Sequence, residues 1–219
     1  MTWNEIYDIL ELISKKNINS EEDLDFLFEQ IHNEDPEIRA YVAELLVRFN
    51  TEKVQDELMM LCDDDDELVR INACDSLSVF YDIDVYKRLW NCFLTDSSEL
   101  VKNYSLLSII DIMSFLDIDK KILKESFMDY LHHYDGIIKV SLLKGLYLLG
   151  VEDCLDELLD MLCKECYEIQ YNIIRTLYDI INFDNREKIL FTISAIKKKE
   201  ANIHILSEFE KLEEHLLDR

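Results

Sequence analysis

One pattern returns along this chain: an acidic or polar turn, an aliphatic residue, a polar and usually basic residue, then an apolar helix. It reads DPEIRAYVAELLVRF over 35–49, DELVRINACDSLSVF over 66–80, SELVKNYSLLSIIDI over 98–112, DGIIKVSLLKGLYLL over 135–149 and CYEIQYNIIRTLYDI over 166–180. The anchoring polar residues are Arg39, Arg70, Lys102, Lys139 and Gln170, spaced 31, 32, 37 and 31 residues apart. A weaker sixth copy, ANIHILSEFEKL, follows with His204, 34 residues on. Such a period is that of a solenoid unit. One helical pair cannot bury its apolar face alone, so neighbouring pairs must stack.

A second amphipathic helix precedes each copy. Segment 20–33 carries Leu24, Leu27, Phe28 and Ile31 on one stripe, and 51–62 carries Val54, Leu58, Leu61 and Cys62. Segments 84–94, 119–134, 152–164 and 185–199 continue the series, and 2–16 adds an N-terminal helix. Apolar residues at i, i+3, i+4 and i+7 are the helical signature. Ser20, Thr51, Asp84 and Asp119 stand where N-caps are needed. Three glycines and one proline replace the roughly 15 and 11 of average usage. That scarcity argues against a β-sandwich, a barrel, a dinucleotide fold or a glycine-rich phosphate loop.

The copies D-P-E-I-R-A-Y-V-A-E-L-L (35–46) and D-E-L-V-R-I-N-A-C-D-S-L (66–77) resemble the second helix of HEAT repeats, whose pattern is Asp, then Val-Arg, then small residues, then Leu. Later copies drift: Lys102, Lys139 and Gln170 replace the arginine, and Tyr104, Leu142 and Ile173 replace small residues. The resemblance covers about residues 20–212. It implies an all-α, armadillo-like fold, a right-handed α-α superhelix of about six helical repeats and 12–13 helices. One domain is expected over 1–219, with a capping helix in 1–19, repeats over 20–200 and a polar capping helix in 201–219. The recurring arginine has a local reading as well. Asp35–Arg39 and Asp66–Arg70 are four apart and can pair, tying the turns between repeats.

Charge narrows the partners. Forty-seven acids oppose 23 bases, a net charge of -24. Phosphate backbones and anionic membranes bind through Lys and Arg, so neither nucleic acid nor membrane is expected as a partner. Basic proteins would be steered toward the chain. Residues 1–100 carry 25 acids and 8 bases, 101–150 six of each, and 151–219 carry 16 acids and 9 bases. The N-terminal half is the natural docking surface for a cation. The opening MTWNEIYDIL lacks a basic and an apolar signal region, and no run approaches 18 apolar residues. A cytoplasmic setting with free thiols at Cys62, Cys74, Cys92, Cys154, Cys163 and Cys166 is expected.

In HEAT proteins the second helices line the concave surface, and the resemblance implies that partners bind there. Three rows can be registered on the anchors. Five residues on lie Glu44, Asp75, Leu107, Lys144 and Arg175; eight on lie Val47, Ser78, Ile110, Tyr147 and Tyr178; one on lie Ala40, Ile71, Asn103, Val140 and Tyr171. If these rows face inward, the groove is acidic at one end and rich in tyrosine and basic residues at the other. Glu44 and Asp75, with Asp63 and Asp64 in the acidic turn 63–66, would attract a basic patch. Lys144, Tyr147, Arg175 and Tyr178 would anchor the other end, as exposed Tyr beside Arg does at interface hot spots.

Chemistry finds little support. The run Asp63-Asp64-Asp65-Asp66 lacks the alternating oxygens and glycine turn of a calcium loop. Cys163 and Cys166 form a lone CxxC without the further ligands a structural zinc needs. Deoxyhypusine hydroxylase, a HEAT enzyme, holds iron through His-Glu pairs; no His-Glu dipeptide occurs here. The expectation is a non-enzymatic protein-binding scaffold with no catalytic residues, cofactor or metal. The alternatives are an immunity or inhibitor protein neutralising a cationic toxin such as a nuclease, and an enzyme of a HEAT-like family. The oligomeric state is open.

Overall fold

A computed structural model describes residues 1–18, 20–198 and 203–217. Among them are thirteen α-helices and no strand. They are α1 (Trp3–Ser14), α2 (Glu21–Gln30), α3 (Pro36–Leu46), α4 (Glu52–Leu61), α5 (Glu67–Ser76), α6 (Ile83–Thr95), α7 (Glu99–Ile112), α8 (Lys120–Leu131), α9 (Gly136–Leu148), α10 (Asp153–Leu162), α11 (Tyr167–Ile180), α12 (Arg186–Lys197) and α13 (Ile203–Leu217). The N-terminal cap and the repeats are therefore helical where expected. Position 19, the 199–202 junction expected between repeats and C-terminal cap, and positions 218 and 219 lie outside the described residues.

The sequence reading treats 1–219 as one array, whereas the packing divides it into two compact units, Met1–Ile118 and Asp119–Arg219. The break falls within the long 37-residue spacing between Lys102 and Lys139. Each unit is an α-solenoid of three helix pairs. In unit 1 the pairs are α2/α3, α4/α5 and α6/α7, with α1 packed on α3; α3 packs on α5 and α5 on α7. In unit 2 they are α8/α9, α10/α11 and α12/α13, and α9 packs on α11, which packs on α13.

Local chemistry starts these helices where they start. Thr2 with Glu5, and Ser20 with Asp23, form reciprocal capping boxes. Thr51 and Asp119 cap α4 and α8 as expected. The cap of α6 is Asp82 rather than Asp84: the Asp84 amide donates to Asp82 Oδ1 at 2.7 Å. Each such cap is worth about 1 kcal/mol. The apolar stripes are buried, with Val54, Leu58, Leu61 and Cys62 in α4 and Val85, Leu89, Cys92 and Phe93 in α6. Helix α9 is buried almost all round, which matches its lack of a polar face, and α7 is buried over most of its length. In the third copy, Ser105 sits three residues after the anchor and is fully buried, while Tyr104 is half-buried.

The anchor arginines do not pair four residues back. Asp35 and Asp66 are occupied as caps, accepting from the amides of Glu37 at 2.9 Å and Leu68 at 2.9 Å. Each arginine reaches forward instead. Arg39 donates from Nε and Nη2 to Asp64 at 2.8 and 2.7 Å, and from Nη1 to the Asn33 carbonyl at 2.8 Å. Arg70 repeats the arrangement on Asp96 at 2.8 and 3.2 Å and on the Asp64 carbonyl at 2.9 Å. One fork therefore closes its own turn and grips the next, so the expected tie between turns is present with a different partner.

A second link joins the inner helices of unit 1. Ser76 donates to the Ala43 carbonyl and Ser108 to the Cys74 carbonyl, both at 2.8 Å, and Asn72 donates to the Ala40 carbonyl at 2.9 Å. Helices α3, α5 and α7 are thus clipped side by side through buried or half-buried polar groups. Arg48 fastens the N-terminal helix, donating to the Ile13 carbonyl at 2.7 Å and to that of Lys16.

Candidate functional site

The face of α3 and α5 presents the row five residues after the anchor. Glu44 and Asp75 are both exposed there, one repeat apart. Among the described residues no cation pairs with either. Partial loss of solvent around the carboxyl, followed by the Glu44 charge, raises Asp75 above its usual range. Two like charges are thus held together by the stacking of their helices, which favours any cation brought to the face.

The acidic turn behaves differently. Asp64 is filled by Arg39 and by the Asp66 amide at 2.9 Å. Partial burial alone would raise its carboxyl, but these bonds and the Arg70 charge hold it below the usual range. Its oxygens are therefore committed to the fold. Asp63 is exposed and pairs with Arg88 at 2.6 Å. The turn is a structural joint before it is a docking surface.

In unit 2 the proposed anchors are largely internal. Lys144 is buried, with Nζ on Asp179 at 2.8 Å. The Tyr147 hydroxyl accepts from Asn185 Nδ2 at 2.9 Å, and Asn185 also reaches the Ile180 carbonyl at 2.8 Å. Tyr178 is half-buried against His215, ring centroids 5.2 Å apart, and burial followed by the Glu208 charge raises its hydroxyl. Arg175 alone of these four is exposed. The row one residue after the anchor does not face outward: Ala40, Ile71, Asn103 and Val140 are buried, and only Tyr171 is exposed. Ile110, in the row of eight, is buried too. A helix buried on nearly every side, such as α9, cannot offer the surface that an anchor-based register assigns to it.

One cluster escaped the sequence reading. Among the described residues, a single group of cysteine, histidine and carboxylate side chains lies close enough together to share a metal ion: Cys62, Cys74 and Cys92, all buried, with sulfurs within 4.8 Å of one another. Cys163 and Cys166, which carried the CxxC spacing, are exposed. The trio comes from three helices and has no sequence motif.

Residues 24–109 match the family model described as HEAT repeats. Over that stretch the chain is similar to HEAT repeats. The match lies wholly inside unit 1, where the arginine forks are. None of the curated proteins matches the chain. Among solved structures, a chain in the complex of CpcE and CpcF of phycocyanin lyase from Nostoc sp. PCC7120 is similar at 14% identity and TM-score 0.64, over 95% of this chain and 88% of that one. At that identity the likeness speaks for the fold alone. Human deoxyhypusine hydroxylase in complex with glycerol gives TM-score 0.43 and 12% identity over 99% and 97% of the chains, too remote to bear on activity. No helix among the described residues is long and apolar enough to cross a membrane.

Proposed function

We propose that this HEAT-repeat protein is a non-enzymatic binding scaffold that holds a protein partner through a basic patch, docked on the acidic face of unit 1. The observation that carries the reading is the Glu44–Asp75 pair, two exposed carboxylates stacked on successive repeats without a cation. Unit 1 adds a long-range field, holding 27 acids against 9 bases, while unit 2 holds 20 against 14. Such a surface speeds encounter with a basic protein and rejects acidic ones. The anchors proposed in unit 2 reduce to Arg175, since Lys144, Tyr147 and Tyr178 have internal partners.

The test compares wild type with the charge-reversed double variant Glu44→Lys, Asp75→Lys, both immobilised and matched by circular dichroism. Each is exposed to extract of the native cells at low salt and at roughly 0.5 M salt, where the Debye length falls to about 4 Å. Stoichiometric capture of basic protein by wild type, lost in the double variant, is expected. Equal capture by both would remove the acidic face from the reading. A single basic partner that resists the salt would narrow the scaffold to a dedicated inhibitor of one cationic protein. Capture of acidic proteins alone would overturn the charge argument.

A further inference from the structure

We propose that Cys62, Cys74 and Cys92 form a binding site for a soft monovalent metal ion of the copper(I) type. Cys62 lies at the C-terminal end of α4, Cys74 within α5 and Cys92 within α6, so the site joins two successive repeats. Their sulfurs lie within 4.8 Å of one another, with Cys62 and Cys74 at 3.8 Å. Three sulfurs each about 2.3 Å from one metal in a common plane stand about 4.0 Å apart. Cys62 and Cys74 stand close to that spacing, and Cys92 lies within 4.8 Å of both.

The donor set selects the ion. A structural zinc needs four ligands. No histidine or carboxylate among the described residues joins this group. Three buried thiolates suit copper(I), which is soft and accepts low coordination. Exposures of 3%, 0% and 4% keep water and harder ligands away. Arg88 is held on the Met59 carbonyl at 3.1 Å and acts electrostatically on Cys62 and Cys92. Its positive charge, shared with Asp63 at 2.6 Å, would offset a part of the excess negative charge of a thiolate complex. Binding forms three metal–sulfur bonds, the displaced thiol protons leave to solvent, and the ion keeps its oxidation state. Ordinary core packing explains Cys74 taken singly: its row holds Ala43, Leu106, Leu143 and Ile174 in the other repeats, all buried. It does not account for sulfur at all three converging positions of one junction.

The experiment removes the other thiols. The variant Cys154→Ala, Cys163→Ser, Cys166→Ser leaves the trio as the whole cysteine content. Reduced and kept free of oxygen, it is titrated with copper(I) held by bicinchoninate. Uptake of one ion per chain, with three sulfur neighbours by X-ray absorption and a raised Tm, is expected. A further Cys92→Ser change should lower uptake at least tenfold. No uptake from the competitor, or unchanged uptake after Cys92→Ser, would overturn the site. If the triple variant fails to fold, X-ray absorption of wild type loaded with one equivalent decides the matter. A three-sulfur shell supports the site, and a two-sulfur or nitrogen–oxygen shell rejects it.

Discussion

The two units build the same helix pairs with different joints. In unit 1 Arg39 and Arg70 each make a two-pronged bond to the aspartate of the following turn, Asp64 and Asp96. In unit 2 the anchor positions hold Lys139, with one point charge on Glu157 at 2.7 Å, and Gln170, donating to the Leu162 carbonyl at 3.1 Å. Unit 2 compensates by burial and by local polar networks. Helix α9 is buried nearly all round and ends in a Schellman turn, with Val151 N–H on the Leu146 carbonyl at 3.0 Å and Gly150 N–H on that of Tyr147 at 2.9 Å. Sequence recognition follows the joints, since the HEAT match stops at residue 109. The fold follows the burial, which both units share.

The largest effect should come from breaking a fork. Arg70→Ala strips Asp96, whose side chain is only 9% exposed, of its cation and frees two turn carbonyls. A fully buried pair loses about 3–5 kcal/mol on such a break. Residual exposure should bring this to about 2–3 kcal/mol. Both tryptophans, Trp3 and Trp90, lie in unit 1, so fluorescence follows that unit while circular dichroism follows both. Urea unfolding should show the fluorescence midpoint falling well below its wild-type value. A shift under 0.5 kcal/mol would mean that burial carries unit 1 as it carries unit 2.

Acid and alkali sharpen the same contrast. Asp64 and Asp96 would be raised by partial burial, yet their arginine partners hold both below the usual 3.8. A depressed carboxyl contributes stability above its unfolded pKa and loses it as pH falls through the folded value. Unit 1 should therefore weaken below about pH 3.8. The Glu157 bond holds Lys139 above 10.5. A raised amine contributes below its unfolded pKa and loses that as pH rises through the folded value, so the unit 2 joint should loosen above about pH 10.5. Fluorescence should lead dichroism in the acid titration. Coincident acid curves would erase the distinction.

In unit 2 the sensitive polar group is Asn185, buried and bonded to Tyr147 and the Ile180 carbonyl. Asn185→Ala should cost about 2 kcal/mol, the range for losing buried hydrogen bonds and leaving partners bare. It should move the dichroism midpoint and leave the tryptophan signal in place. Gly150→Ala follows at about 1 kcal/mol: φ is +83°, and no atom lies within 4 Å of an added Cβ, so only backbone strain acts. A neutral Gly150→Ala would show that the end of α9 relaxes freely.

Much of this was readable beforehand, for identifiable reasons. Helical period and cap residues are local, so twelve paired helices, the extra α1 and caps such as Ser20 and Thr51 emerge from spacing alone. Exposure of Glu44 and Asp75 followed from registering the rows on the anchors. Long-range choices were hidden. Nothing near Arg39 announces Asp64, 25 residues on, because the nearer Asp35 looks equally suited until its capping duty is seen. Lys144 reads as a surface lysine, yet α9 has no surface there and Asp179 supplies the counter-charge. Cys62, Cys74 and Cys92 are 12 and 18 residues apart, spacings that match no ligand motif, so only the stacking of repeats reveals them.

The smallest effect falls on the acidic face itself and carries the opposite sign from the forks. Asp75 has a carboxyl raised by partial loss of solvent and then by Glu44. A raised carboxyl means that the folded state favours its protonated form, so at neutral pH the charge opposes folding. Asp75→Asn removes that charge while keeping the shape, and should stabilise unit 1 by about 0.2–0.5 kcal/mol, the scale of exposed charge pairs. The gain should shrink as pH falls through the raised pKa, where the wild-type side chain is already neutral, and the share due to Glu44 should fade in high salt. The same change should weaken capture of a basic partner. Stability gained together with binding lost would mark Asp75 as a residue kept for an external cation. Stability lost on Asp75→Asn would instead show an internal role, and would place the acidic face among the joints with Asp64 and Asp96.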